Sequence, residues 1–242
     1  MTDQRHFAPA IPIARPSVVL GTTDDGEPVA VASFVAERAT RVAVIGEASL
    51  PKLIALRALA SGARVQVVTS QPGEWCRVRG YAQLSADRLA IVRPGTAPPA
   101  AGTRAVPAMI IDDTGADPAS GGPWQALVAV PVARAVTVGA LRGFDLVVLH
   151  RSSPACRGAA VGALALPVPA ALSLHGIPRD VVAVASPGVV RLVPLKLDSA
   201  ERALLLELGS PIWRTNDCRI VPGPIPAIPF NTPGTGLDGE VA

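Results

Sequence analysis

The chain has 242 residues, 49% of them hydrophobic, which allows one large or two small domains with a sizeable core and excludes global disorder. Its formal net charge is only +3, and no basic run with interleaved aromatics occurs, which argues against a dedicated nucleic-acid surface. Cys76, Cys156 and Cys218 fit no metal-ligand spacing and read as free thiols of a reducing cytosol, so no metal and no cofactor are expected.

Aromatics are 3% of the chain, so the core must come from Ala, Val, Leu and Ile. Residues 1–16 carry Pro9, Pro12 and Pro16 and read as an extended arm, with no apolar signal-peptide core behind the first residues. Residues 17–34 read as a β-hairpin, two apolar strands around the Asp25-Gly26 turn. Arg41 to Gly46 is a strand ending in glycine, Leu50 to Ser61 a helix closed by Gly62, and Val65 to Thr69 a second strand. That is a βαβ unit, which predicts two parallel, adjacent strands.

Further strands are expected at 89–92, 108–111, 127–130 and 144–150, and 132–141 is open between helix and strand. A helix capped by Ser153 and Pro154 should run to about Leu166. The charge-free stretch 158–178 has the length of a membrane span, but Pro167, Pro169 and Pro178 interrupt it. It reads as a short buried helix and a proline-bearing loop, packed in the domain or against another subunit. Residues 180–192 read as a hairpin at the sheet edge, and Asp198-Ser199 cap a last helix over 200–208. The whole predicts one α/β domain over 17–210, a mainly parallel sheet with helices on both faces, Rossmann-like or P-loop-like, with β-hairpin additions. A Pro/Gly-rich tail follows over 211–242.

The chemistry concentrates in Gly46-Glu47-Ala48-Ser49-Leu50-Pro51-Lys52-Leu53. Against the phosphate-loop pattern GxxxxGK[ST], Gly46 and Lys52 fall in register between strand and helix. Pro51 replaces the second glycine and lacks an N–H, and Leu53 replaces the hydroxyl that would hold Mg²⁺. Glu47 sets a negative charge beside any phosphate. Gly46 equally suits the tight turn of any βαβ unit, and Lys52 a solvated helix position. Asp112 and Asp113 end an apolar strand, as metal carboxylates or as the start of a turn. Gly46, Glu47, Lys52, Asp112 and Asp113 are thus the candidate nucleotide-binding residues, and no catalytic set is legible. His150 ends a strand where α/β ligand sites gather, and also suits a buried, hydrogen-bonded histidine.

The segment from Leu20 to Val29, followed by Arg41 to Lys52 and Leu56-Arg57-Ala58-Leu59, resembles the start of an FtsK-like P-loop ATPase domain of the type VII (ESX) secretion motors of actinobacteria. The resemblance covers about a fifth of the chain. It implies that Lys52 is the would-be phosphate lysine and Asp112 and Asp113 the would-be metal carboxylates. With Pro51 and Leu53 in place, it implies an inactive ATPase-like module that binds or assembles with protein partners. Secretion-machinery subunits or further copies of the chain would be those partners, in the cytoplasm or peripheral to a membrane complex. The alternative is a small-molecule or nucleotide-binding enzyme on a Rossmann-like fold.

Overall fold

The computed structural model describes residues 16–97, 99–116 and 121–208. The expected arm, up to residue 15, and the tail therefore lie outside the described residues. β1 (Ser17–Thr22) and β2 (Pro28–Ser33) pair antiparallel as a separate two-stranded sheet. Their alternation is that of a half-buried ribbon, with Val18, Leu20, Val29 and Val31 inward. The turn is closed by Thr23 N–H on the Glu27 carbonyl, with Gly26 at φ +81°.

The main sheet has eight strands: β3 (Thr40–Ile45), β4 (Arg64–Val68), β5 (Leu89–Val92), β6 (Ala108–Asp112), β7 (Gln125–Ala129), β8 (Leu146–Leu149), β9 (Val181–Ser186) and β10 (Val189–Pro194). Their order is β10-β9-β8-β3-β7-β6-β4-β5, and the six from β8 to β5 are mutually parallel. β9 and β10 form the antiparallel edge hairpin that the sequence predicts. This is a mixed α/β fold, Rossmann-like in its general form.

β3 and β4 are parallel but not adjacent, which corrects the simple βαβ expectation. β7 and β6 lie between them, and β3 is flanked by β7 and β8. Central strands are covered on both faces and favour unbroken apolar runs. Residues 42–45 of β3 and Leu146–Leu149 of β8 are such runs, whereas β4 is interrupted by Gln66.

The helices are α1 (Ser49–Ala60), α2 (Pro72–Tyr81), α3 (Val138–Leu141), α4 (Pro154–Ala163), α5 (Val168–Ser173) and α6 (Ser199–Leu208). Alternate residues of β3 join different cores. Val42 and Val44 pack in the cluster of Leu53 and Ile54 from α1 and Trp75 from α2. Ala43 and Ile45 pack with Cys156, Ala159 and Ala160 of α4. Burying each of Leu53 and Ile54 stabilises the fold by about 1.5–3 kcal/mol.

Between Thr69 and Leu89 the sequence pattern gives no element, yet α2 forms there with Pro72 in its first turn. Ser153 accepts from the Cys156 N–H as the predicted cap, although α4 stops at Ala163. α6 begins with a reciprocal capping box: Glu201 N–H donates to Asp198 Oδ1 at 2.7 Å, and Asp198 N–H to Glu201 Oε2 at 3.1 Å. The segment 158–178 divides between α4, with Ala159 and Ala160 buried, and α5, whose Val168 and Leu172 are exposed. Among the described residues no helix is long and apolar enough to cross a membrane. Cys156 is a free, buried thiol, whereas Cys76 is disulfide-bonded, against the expectation of free thiols throughout.

Candidate functional site

Six parallel strands bring their carboxyl ends to one edge, and every candidate residue falls on it or just beyond it. Two places on that edge are topological switch points, where neighbouring strands send their connections in opposite directions. α1 leads from β3 toward β4, while the connection after β8 leads away to β9. α2 leads from β4 outward to β5, while β6 connects inward to β7. The first switch point holds Gly46, Glu47, His150 and Arg151. Thr69, Asp112 and Asp113 lie at the second.

Gly46 has φ +145°, and a methyl group there would collide with the His150 carbonyl oxygen. Its conformation follows from the close approach of the two strand ends, with no phosphate involved. The loop after β3 is only Gly46-Glu47-Ala48, because α1 already begins at Ser49. Pro51 and Lys52 therefore lie inside the helix, where a cradling loop would need free backbone. Of the amides at this helix start, Leu50 N–H is taken by the Glu47 carbonyl at 3.1 Å and Pro51 has none. Leu53 is wholly buried in the core.

Lys52 is 5% exposed, which corrects its reading as a solvated helix residue. Its ammonium is held by the carboxylate of Glu74 on α2. Asp113 belongs to the same cluster: its Oδ2 accepts from Trp75 Nε1 at 2.8 Å and from Thr69 Oγ1 at 3.4 Å. Burial pushes the Asp113 carboxyl above the usual carboxylate range. The Trp75 N–H, the Lys52 cation and the Thr69 hydroxyl pull it down, and the Glu74 charge adds to the rise. Asp112 is not part of this group. Its Oδ1 accepts from the Thr114 N–H at 2.9 Å and the Thr114 hydroxyl at 2.5 Å, so it starts a turn.

Glu47 faces away from Lys52 and pairs with Arg151 after β8. His150 is 4% exposed and bonds the Arg179 carbonyl through Nε2 at 3.0 Å, as a buried, hydrogen-bonded histidine should. Its Nδ1 stands 3.9 Å from Glu47 Oε2 and has no hydrogen-bond partner among the described residues.

The predicted residues thus share one edge, with Lys52 and Asp113 in one cluster with Glu74, Glu47 in another with Arg151 and His150, and Asp112 in neither. Glu74 and Trp75 escaped sequence reasoning because their helix carries little apolar periodicity, and Thr69 was read only as the end of its strand. Arg151 was signalled only by its position next to His150. Among the described residues no group of three or more His, Cys, Asp or Glu is placed to hold a metal ion. No protein-family model and no curated protein matches the chain.

Proposed function

We propose that this chain is a catalytically inactive ATPase-like module, P-loop-like with helices on both faces of its sheet, that acts as a binding or assembly subunit. The carrying observation is that the one lysine in register for a phosphate is buried and already neutralised by Glu74. A phosphate arriving at Lys52 has to displace the Glu74 carboxylate and reach a buried ammonium. The early start of α1, the missing Pro51 amide and the burial of Leu53 support the same reading, since each removes a group that phosphoryl transfer requires. The resemblance of residues 20–59 to type VII secretion motors gives the setting: a cytoplasmic subunit whose partners are proteins of a secretion machine.

The test is a thermal-shift titration with ATP, ADP and GTP, with and without Mg²⁺. A ligand at about 100 times its dissociation constant adds about 2.7 kcal/mol of stability. No shift that depends on Lys52 is expected with any of the three. A shift that disappears in Lys52→Ala overturns the proposal.

A small-molecule or nucleotide-binding enzyme remains the alternative, and its support comes from the other switch point. There His150 keeps an unpaired ring nitrogen beside a carboxylate that is half in water.

A further inference from the structure

His150 Nε2 faces the Arg179 backbone carbonyl at 3.0 Å. A carbonyl only accepts, so Nε2 carries the ring proton, and in the neutral ring Nδ1 is a bare acceptor. The Glu47 carboxylate stands 3.9 Å from Nδ1 and is also an acceptor. The Nδ1 atom is buried and has no hydrogen-bond partner among the described residues, and the buried hydroxyl of the neighbouring Ser152 is in the same position. Two unmet polar atoms therefore sit two residues apart in one loop, at a switch point where α/β sheets bind ligands. Arg151, between them, adopts φ +48°, a left-handed conformation unusual for a residue with a side chain.

Those groups define what fits. Arg151 requires an anionic acceptor, and the bare Nδ1 of the Nε2–H tautomer of His150 requires a donor. A carboxylate meets only the first demand, which is why Glu47 leaves Nδ1 unpaired. A phosphate group that retains one proton meets both, with an oxyanion on the guanidinium and an O–H on Nδ1. Basic groups outnumber acidic ones nearby: the Arg157 guanidinium donates to the Ser152 carbonyl, and Arg151 Nε donates to the Arg179 carbonyl at 3.2 Å. The facing carboxylate is Glu47, paired with Arg151, and Asp180 follows Arg179 in the chain. The Glu47 side chain is 40% exposed and so is free to swing into water.

We infer that His150, Arg151 and Ser152 form a binding site for a protonated phosphate group, filled by the Glu47 carboxylate while no ligand is bound. The site is separate from Lys52, so it adds a ligand to the proposed assembly role without restoring hydrolysis.

The experiment titrates the full chain with inorganic phosphate, sulfate or acetate near pH 7 at matched ionic strength, and follows the melting temperature. Sulfate has the shape and charge of phosphate but no O–H under these conditions. Glu47→Ala should bind phosphate at least about threefold more tightly than the native chain, because its internal competitor is gone. Phosphate should exceed sulfate and acetate by at least about tenfold, since neither can donate to Nδ1. Adding Arg151→Gln should abolish the response. Equal responses to phosphate and sulfate, no response to phosphate, or a response that survives Arg151→Gln overturns the inference. If Glu47→Ala does not fold, the native chain at higher phosphate must show the same preference and the same dependence on Arg151. None of these outcomes bears on the Lys52–Glu74 pair, so the two proposals fail separately.

Discussion

Glu74→Gln should destabilise this protein more than Lys52→Met does, although both break the same ion pair. The reason is an asymmetry in burial: the Lys52 side chain is 6% exposed and that of Glu74 46%. Removing Glu74 strands a cation in the core, with only Asp113 left nearby to answer it. Removing Lys52 in favour of a methionine of similar shape leaves a carboxylate that already reaches water. Losing one partner of a fully buried pair costs about 3–5 kcal/mol, and exposed pairs are worth about 0.2–1 kcal/mol. The half-exposed Glu74 places its own loss between these, at about 2 kcal/mol, against about 1 kcal/mol or less for Lys52→Met. For a chain of this size, about 2 kcal/mol lowers the melting temperature by about 4–8 °C. Urea unfolding of the native chain, both single variants and the double variant measures the cycle. The double variant should be no less stable than Lys52→Met alone, because no buried cation remains to be stranded. The loss in Glu74→Gln should persist in high salt, which screens surface charges far more than buried ones. Equal or inverted losses would mean that Lys52 is solvated and free to meet a phosphate, and the inactive-module reading would fall.

Three further perturbations separate the causes argued above. Gly46→Ala should cost about 3 kcal/mol or more, from backbone strain plus collision with the His150 carbonyl, whereas Gly26→Ala, at φ +81° in open space, should cost only about 1 kcal/mol in urea unfolding. Leu53→Thr, which restores the hydroxyl of the phosphate-loop pattern, should cost about 2–4 kcal/mol by cavity and buried hydroxyl, and ATP turnover should stay at background. Asp113 and Asp145 should give opposite pH profiles. Asp113, raised by burial, contributes stability that is present below the ordinary carboxylate value and lost as pH rises through its folded value, so Asp113→Asn should gain on the native chain as pH rises from the ordinary value to the raised folded one. Burial also pushes Asp145 up, but the bonds and charge of Arg38, with the Arg41 amide and charge, outweigh it and hold the carboxyl low. Its contribution is present above the ordinary value and lost as pH falls through the folded one, so Asp145→Asn should lose most at neutral pH and converge with the native chain only below the lowered folded value.

Much of the fold was legible because its signals are short in range. The Asp25-Gly26 turn, the caps at Ser153 and Asp198, and the in-and-out burial of β1 act within a few residues. Strand order acts at long range: β3 pairs with β7 and β8, and nothing near Arg41 announces residues 125–149. The expectation that β3 and β4 are neighbours failed for that reason. α2 was missed because only Trp75, Cys76 and Val78 of its ten residues are buried, too few to show a helical period. Missing α2 hid Glu74 and Trp75, and with them the partners that decide what Lys52 and Asp113 do. The motif residues were found, but their environment lay in the unread helix.

The two switch points carry the same kind of charge matching at different cost. Each presents a cation, Lys52 or Arg151, and each cation is met by a carboxylate from a neighbouring connection, Glu74 or Glu47. Catalysis needs groups that interact more strongly with a transition state than with what they touch at rest. A cation bonded to a carboxylate in the resting protein meets that condition only if the carboxylate can leave. At Lys52 it cannot leave cheaply, because the ammonium is buried and Glu74 ties α1 to α2, so the pair acts as part of the core. At Arg151 the guanidinium is 46% exposed and the carboxylate 40%, and opening the pair returns both groups to water. Ligand exchange is therefore easiest at the end of β8, in the loop that also holds the unpaired nitrogen of His150. The phosphate-loop register draws the eye to Lys52, but the physical cost of opening each pair favours the loop after β8 as the place where this protein meets a small ligand.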